Sequence, residues 1–342
     1  MKFIYVAAFY FTAYDIVQKN PTDVFKFFAS YIFSLAIVVG VTLYKHSLLE
    51  FDKGKVLLAV VPFFKDHTIY SACIAFIIPL TTGLFFSFRK EKIFLRALYF
   101  FITVLFLVGI FFSYSRAALL SILILVPFIL FLKYKIKLLW IIVPFFIIGI
   151  CSWHFSDDLI FYLEQNKSNS HSKFADLETQ AKSVTSISAD ESNAERLNRW
   201  KCAVRMFSDK PFTGFGAGTY QFEYFPYQRY DDLTRISVFS PYDNLPGRGG
   251  TAHSEYLLVL SECGIFAFTF FLLFCVTVIL TGRKIFLRTE SKTIRLISLS
   301  VTAGLFTYLF HSMFNNFLDT DKAAFLFYSS IGTIVALDLA KE

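Results

Sequence analysis

The chain has 342 residues, 56% hydrophobic and 17% charged, with 45 phenylalanines and 18 tyrosines. So many aromatics beside so few charges exclude an ordinary soluble domain, and the apolar residues fall in long blocks rather than at amphipathic spacing. The net charge of +7 reads as a topological signal. A nucleic-acid patch is excluded, because no basic cluster with interleaved aromatics stands clear of an apolar block.

In chain order, apolar blocks run at 24–43, 68–88, 94–113, 116–132, 138–154, 265–281, 295–314 and 322–339. Each approaches the ~20 residues needed to cross hydrocarbon. A short further span is open at 3–17, which resembles a secretory signal only superficially, having one basic residue and no small-residue cleavage site. The expected fold is all-α, a polytopic transmembrane helix bundle of about eight or nine spans. Residues 1–154 supply N-terminal spans, 155–252 a large extracytoplasmic loop with short interfacial helices, and 253–342 the C-terminal spans, together one membrane domain. The five cysteines (Cys73, Cys151, Cys202, Cys263, Cys275) form no CxxC pair and lie mostly in or beside apolar segments as small hydrophobes.

Basic residues orient the spans. Arg89, Lys90, Lys92 and Arg96 form one cluster, Lys133, Lys135 and Lys137 a second, and Arg283, Lys284, Arg288, Lys292 and Arg295 a third. With alternating spans all three share one side, cytoplasmic by the positive-inside rule. The loop 155–252 and the turns Ser113–Arg116 and Asn315–Lys322 then face outward. The segment 44–67 would face outward too, despite Lys45, Lys53, Lys55 and Lys65. Glu50, Asp52 and Asp66 partly balance it, which suits a segment lying along the interface.

The loop has two halves. From Gln165 to Ala194 it is rich in Ser, Asn and Lys, a composition that predicts mobility. Ser192-Asn193-Ala194-Glu195 then reads as a capping box. It opens a helix whose apolar stripe is Leu197, Trp200, Val204 and Phe207, ended by Pro211 and expected to lie in the outer interface.

Several residues could carry chemistry. Arg116 begins an apolar run at the outer end of two closely joined spans, where an arginine is costly unless paired, wet or snorkelling. Arg196 and Arg199, three apart on one helix, could clamp phosphate oxygens or bind lipid headgroups. For the helix alone the headgroup reading is the stronger. Gly214, Gly216 and Gly218 alternate after Pro211 without a βαβ unit around them, and fit a tight turn better than an anion nest. His253 through Glu262 enters an apolar helix whose N-terminus would favour an anion, with Gly264 as its natural break. His253 and Glu255 can share a site only if His253 precedes the helix and Ser254 caps it. Glu255 and Glu262, seven apart, share a face. A lone histidine at a helix start can equally be a structural cap. Asp319-Thr320-Asp321 and Asp157-Asp158 read as solvated turns, and no metal-site, nucleophile-elbow or phosphate-loop motif is present.

Taken together, these segments resemble the O-antigen ligase and polymerase superfamily of membrane glycosyltransferases. Ser115-Arg116-Ala117 resembles its S-R-[AG] at the start of a span. Arg196-x-x-x-Trp200 with Pro211-x-x-Gly214-x-Gly216 resembles its R-x-x-x-W…P-x-x-G-x-G segment. Ala252-His253-x-Glu255-Tyr256-Leu257 with Glu262-x-Gly264 resembles its A-H-N-x-[FY]-L…E-x-G segment, Ser254 replacing Asn. The resemblance covers about residues 68–340. It implies a polyprenyl-diphosphate-linked glycan as donor at the outer face of a bacterial cytoplasmic membrane. The implied acceptor is lipid A core, another glycan or a protein. Transfer is expected to invert the sugar, without metal or cofactor. On this reading Arg116, Arg196 and Arg199 contact the diphosphate, His253 or Glu255 is the base, and Glu262, Gly214 and Gly216 are supporting. Membrane lipids are the other expected partner. A transporter of lipid-linked glycan is disfavoured, because the spans at 68–88 and 265–281 hold no Asp, Glu, Lys or Arg before their basic ends.

Overall fold

The computed structural model describes residues 2–88, 91–134, 191–234 and 250–340, all α, with no strand among them. The expected span at 138–154, the polar stretch from Gln165, Asp157-Asp158 and the basic residues Arg89, Lys90, Lys135 and Lys137 lie outside the described residues.

The helices, in chain order, are α1 (Lys2–Tyr5), α2 (Phe11–Lys19), α3 (Asp23–Ser47), α4 (Val56–Val60), α5 (His67–Ser87), α6 (Ile93–Phe111), α7 (Arg116–Leu123) and α8 (Leu125–Lys133). They continue with α9 (Glu191–Asp209), α10 (Tyr220–Glu223), α11 (Glu255–Arg288), α12 (Lys292–His311) and α13 (Asp321–Leu339). A π-helical segment, Val6–Tyr10, joins α1 to α2. Seven helical stretches among the described residues are long and apolar enough to cross a membrane. They match every expected span but the one at 138–154. Between α7 and α8 the ladder breaks at Ile124, because Pro127 has no N–H to give to Leu123.

The chain divides into two compact units. The first comprises residues 1–134, 271–313 and 317–342. Its centre is α5, hydrophobic on all sides: 78% of its apolar window is buried, against 28% for α6 and 33% for α3. With no hydrophobic drive between helices in lipid, close approach needs small residues. A Cβ on Gly83 would come within 2.0 Å of Ser300 Oγ, and one on Gly304 within 2.7 Å of the Phe76 carbonyl oxygen. Thr103 Oγ1 donates to Thr81 Oγ1 at 3.0 Å, and Ser298 Oγ to the Gly282 carbonyl at 2.7 Å. The stretch at 3–17 is helical and lies on α13. Ser329 Oγ donates to the Phe9 carbonyl at 3.3 Å, Gln18 Nε2 to the Ala336 carbonyl at 3.0 Å, and Gly332 leaves room for Tyr10.

The second unit comprises residues 135–270 and 314–316. Its core joins Cys202, Ala203 and Met206 of α9 to Tyr220, Tyr224, Ala252 and Leu258. Leu197, Trp200, Val204 and Phe207 of the apolar stripe of α9 are not part of this core. Leu197 and Val204 are exposed, while Glu195, Asn198 and Arg199 are buried. The helix also begins at Glu191, so Ser192 lies inside it rather than at its cap.

Candidate functional site

Arg116 is the first residue of α7, in the first unit. Its turn is braced from the α3–α4 connection. Tyr114, at φ 53°, donates its hydroxyl to the Phe51 carbonyl at 2.7 Å. His46 packs against Phe51, Phe112 and Tyr114, with Nε2 3.0 Å from the Asp52 carbonyl. These contacts fix an arginine at the positive end of a helix, where the backbone N–H groups and the guanidinium attract the same kind of ligand, an anion.

In the second unit, α9 is the platform. Trp200 Nε1 donates to the His253 carbonyl at 3.2 Å, and the Phe314 ring lies tilted beside it with centroids 6.3 Å apart. Arg196 precedes Trp200 by four residues, on the same side of the helix. His253 stands ahead of α11 in a left-handed conformation, φ 50°. Ser254 follows as the cap: its Oγ accepts from Leu257 N–H at 3.4 Å and its carbonyl from Leu258 N–H at 2.9 Å. So His253 meets the condition for sharing a site with Glu255, which is buried in the first turn of α11.

The glycine segment and the Glu262–Gly264 segment form one interlocked turn. Gly216 N–H donates to the Glu262 carbonyl at 2.8 Å, Phe215 N–H to Ser261 at 3.2 Å, and Ile265 N–H to Pro211 at 2.8 Å. The Glu262 carboxylate accepts from Gly218 N–H and from Tyr220 N–H, both at 2.9 Å. One oxygen thus serves the first N–H of α10, and the other holds the glycine turn before it. Gly264 breaks the helix at φ 75°, ψ −176°, and a Cβ there would lie 2.3 Å from the Phe212 carbonyl oxygen.

Arg199 is buried. Its Nε donates to Glu195 Oε1 at 2.6 Å, and its guanidinium carbon lies 4.0 Å from the centre of the Tyr224 ring. Burial opposes its charge, but the tyrosine hydroxyls and Glu195 outweigh this and raise its pKa above the ordinary arginine value. Burial also pushes the neighbouring Cys202 thiol up to about 11, so it is no nucleophile at neutral pH.

Asp232 ties the 225–233 segment to α9. It accepts from Lys201 Nζ at 2.5 Å and from Arg205 Nη2 at 2.6 Å, while Arg205 Nη1 donates to the Tyr227 carbonyl at 2.7 Å. Partial burial works against the Asp232 charge; the two cations prevail and hold its pKa below the usual carboxylate value. A depressed native pKa gives stabilisation that is complete above the unfolded value, about 3.9, and lost as pH falls through the native one. Asp232→Asn is expected to weaken the tie by ~1 kcal/mol at pH 7. The thermal midpoints of variant and wild type should begin to converge as pH falls below about 4 and meet only below the native pKa of Asp232. Equal midpoints at pH 7 would show that the tie carries no stability.

Asp321 opens α13 and pairs with Lys322 at 3.6 Å, and Thr320 Oγ1 donates to the Phe317 carbonyl at 2.7 Å. Among the described residues no group of three or more His, Cys, Asp or Glu is placed to hold a metal ion. Tyr220, Tyr224 and Asp232, and the pairing of Glu195 with Arg199, are features of this unit that no motif in the sequence singles out. The Glu195–Arg199 spacing of four was the one signal that could have found any of them.

The seven helices among the described residues that are long and apolar enough to cross a membrane define a multi-pass helical membrane protein. The O-antigen ligase family model matches residues 101–272, half of the chain, and the chain belongs to that family. Its function is accordingly of the O-antigen ligase or polymerase type. No curated protein matches it.

Proposed function

We propose that the protein transfers a glycan from a polyprenyl-diphosphate carrier to an acceptor hydroxyl at the outer face of a bacterial cytoplasmic membrane. The observation that carries this reading is the Trp200–His253 hydrogen bond. It hangs His253 on the helix that bears Arg196, so a base and a phosphate-binding cation belong to one platform.

The chemistry then divides simply. His253, neutral, takes the proton of the acceptor hydroxyl as its oxygen attacks the anomeric carbon from the face opposite the diphosphate, inverting that centre. The bond from the anomeric carbon to the diphosphate oxygen breaks, and polyprenyl diphosphate leaves with the electron pair. Diphosphate is a good leaving group, so charge stabilisation matters more than protonation. Arg196 and Arg116 are assigned to that task. Glu255 orients His253 or replaces it as base. No step needs a metal. The distribution of basic clusters supports an outward 155–252 loop.

A ligase would join finished polymer to lipid A core or protein; a polymerase would join one repeat unit to another. The lipid-linked glycan that accumulates in cells lacking the protein tests the choice. Full-length polymer on undecaprenyl diphosphate is expected, for a ligase; single repeat units would instead assign polymerisation. No accumulation of any lipid-linked glycan would contradict both.

The arginine assignments have their own test. Lysine keeps the charge but loses the planar fork. Arg116→Lys and Arg196→Lys are each expected to lower transfer about as far as alanine does, by about 100-fold. Full transfer by both lysine variants, measured with purified lipid-linked donor, would reduce these residues to membrane anchors.

A further inference from the structure

Arg199 resembles the diphosphate ligands in sequence, but its surroundings suit another task. The guanidinium is held edge-on by Glu195 through Nε at 2.6 Å. Glu195 Oε2 in turn accepts from Thr234 Oγ1 at 2.5 Å. One face of the guanidinium lies on the Tyr224 ring, which itself stacks on Tyr220 at 5.3 Å and 4°. The Tyr220 hydroxyl donates back to the Arg199 carbonyl at 2.8 Å.

Gly250 covers the guanidinium from elsewhere. A Cβ on Gly250 would lie 3.1 Å from Arg199 Nη1, 3.2 Å from Cζ and 3.2 Å from Nη2. Near-equal distances to three atoms of one plane put that position above the plane. The face against Tyr224 is already taken, so Gly250 covers the other. Gly250 has φ 92°, a conformation that glycine adopts without strain. Three residues later comes His253, tied to Trp200, the neighbour of Arg199 in the chain.

We infer that Arg199 is a positioning residue: clamped between Tyr224 and the Gly250 backbone, it holds the Gly250–His253 segment on α9 and so places His253 for the reaction. Glu195 is the counter-charge that makes a buried guanidinium tolerable there. The inference rests on the proposed role of His253, but its structural half stands without it. It also explains why the chain needs glycine immediately before Thr251-Ala252-His253.

The test uses the full-length protein in detergent or nanodiscs, with undecaprenyl-diphosphate-linked glycan isolated from cells that lack the protein. The variants are Arg199→Lys, Glu195→Gln and Gly250→Ala, the last leaving both charges in place. Each is expected to lower kcat at least 30-fold while KM for the donor stays within threefold. Amide exchange across residues 250–258 should rise at least tenfold in each, with exchange in α5 unchanged as the control for global folding. If Arg199 were a diphosphate ligand, Arg199→Lys would raise the donor KM instead. Glu195→Gln, freeing the guanidinium, would then lower the KM or leave it unchanged with normal exchange at 250–258. That pattern overturns the inference, as does unchanged exchange in Gly250→Ala. If one charge variant unfolds, Gly250→Ala decides. If the wild type transfers no glycan, the proposed function fails, while the exchange data still show whether Arg199 holds the segment.

Discussion

His253→Gln is expected to bind the lipid-linked donor within about twofold of wild type and to lose transfer by about 100- to 10,000-fold, the usual contribution of a positioned general base. Glutamine keeps a hydrogen-bonding side chain and leaves the backbone carbonyl free to accept from Trp200, but it cannot take up a proton. The variant thus separates proton removal from placement. A base must be neutral to act, so wild-type transfer should fall toward acid pH within the range in which imidazoles titrate, roughly pH 5–8. Residual transfer by His253→Gln should lack that acid limb. If His253 instead touches the diphosphate, donor binding weakens and the limb persists. Normal binding with normal turnover would refute both roles and pass the base to Glu255.

Gly264→Ala is expected to be among the most damaging single-methyl changes in the second unit. Its backbone, φ 75° and ψ −176°, lies in a region that is essentially closed to residues with a Cβ. The added carbon would also meet the Phe212 carbonyl oxygen at 2.3 Å and the Pro211 carbonyl oxygen at 3.0 Å. Neither is the end of a flexible side chain. Conformational strain and collision together should cost about 4 kcal/mol or more. Gly218 is the internal control. It too has positive φ, 82°, but a Cβ there meets nothing within 4 Å. Gly218→Ala should cost only the conformational part, about 1–2 kcal/mol. Thermal unfolding of the purified variants, read by proteolysis of the 191–270 region, compares them. Equal midpoints for the two would mean that the turn relaxes around Gly264 and that the collision does not matter.

The spans were legible because twenty apolar residues in a row have few alternatives in water or lipid. The Gly264 break and the position of His253 ahead of its helix were legible too, from helix length and from the two-residue offset between His253 and Glu255. The burial of the polar face of α9 was not. Its apolar stripe is expected in the interface, and Leu197 and Val204 of it are exposed, but the other face is buried and carries a charged pair. Hydrophobic periodicity assumes that the core is apolar. Here Tyr224, 25 positions along the chain from Arg199, supplies the aromatic face that lets a guanidinium be buried. The contacts of Glu262 were hidden for a related reason. Its partners are backbone N–H groups 42 and 44 residues away, which no side-chain pattern announces. The alternating glycines were read as a turn, and the structure gives them that role.

The central claim is the transfer reaction itself. The purified protein in nanodiscs, given undecaprenyl-diphosphate-linked glycan, an acceptor glycolipid and excess chelator, should release undecaprenyl diphosphate in amounts equal to the new glycosidic bond, with the anomeric centre inverted. Donor recovered intact, or moved across a bilayer with no bond formed, would contradict the account.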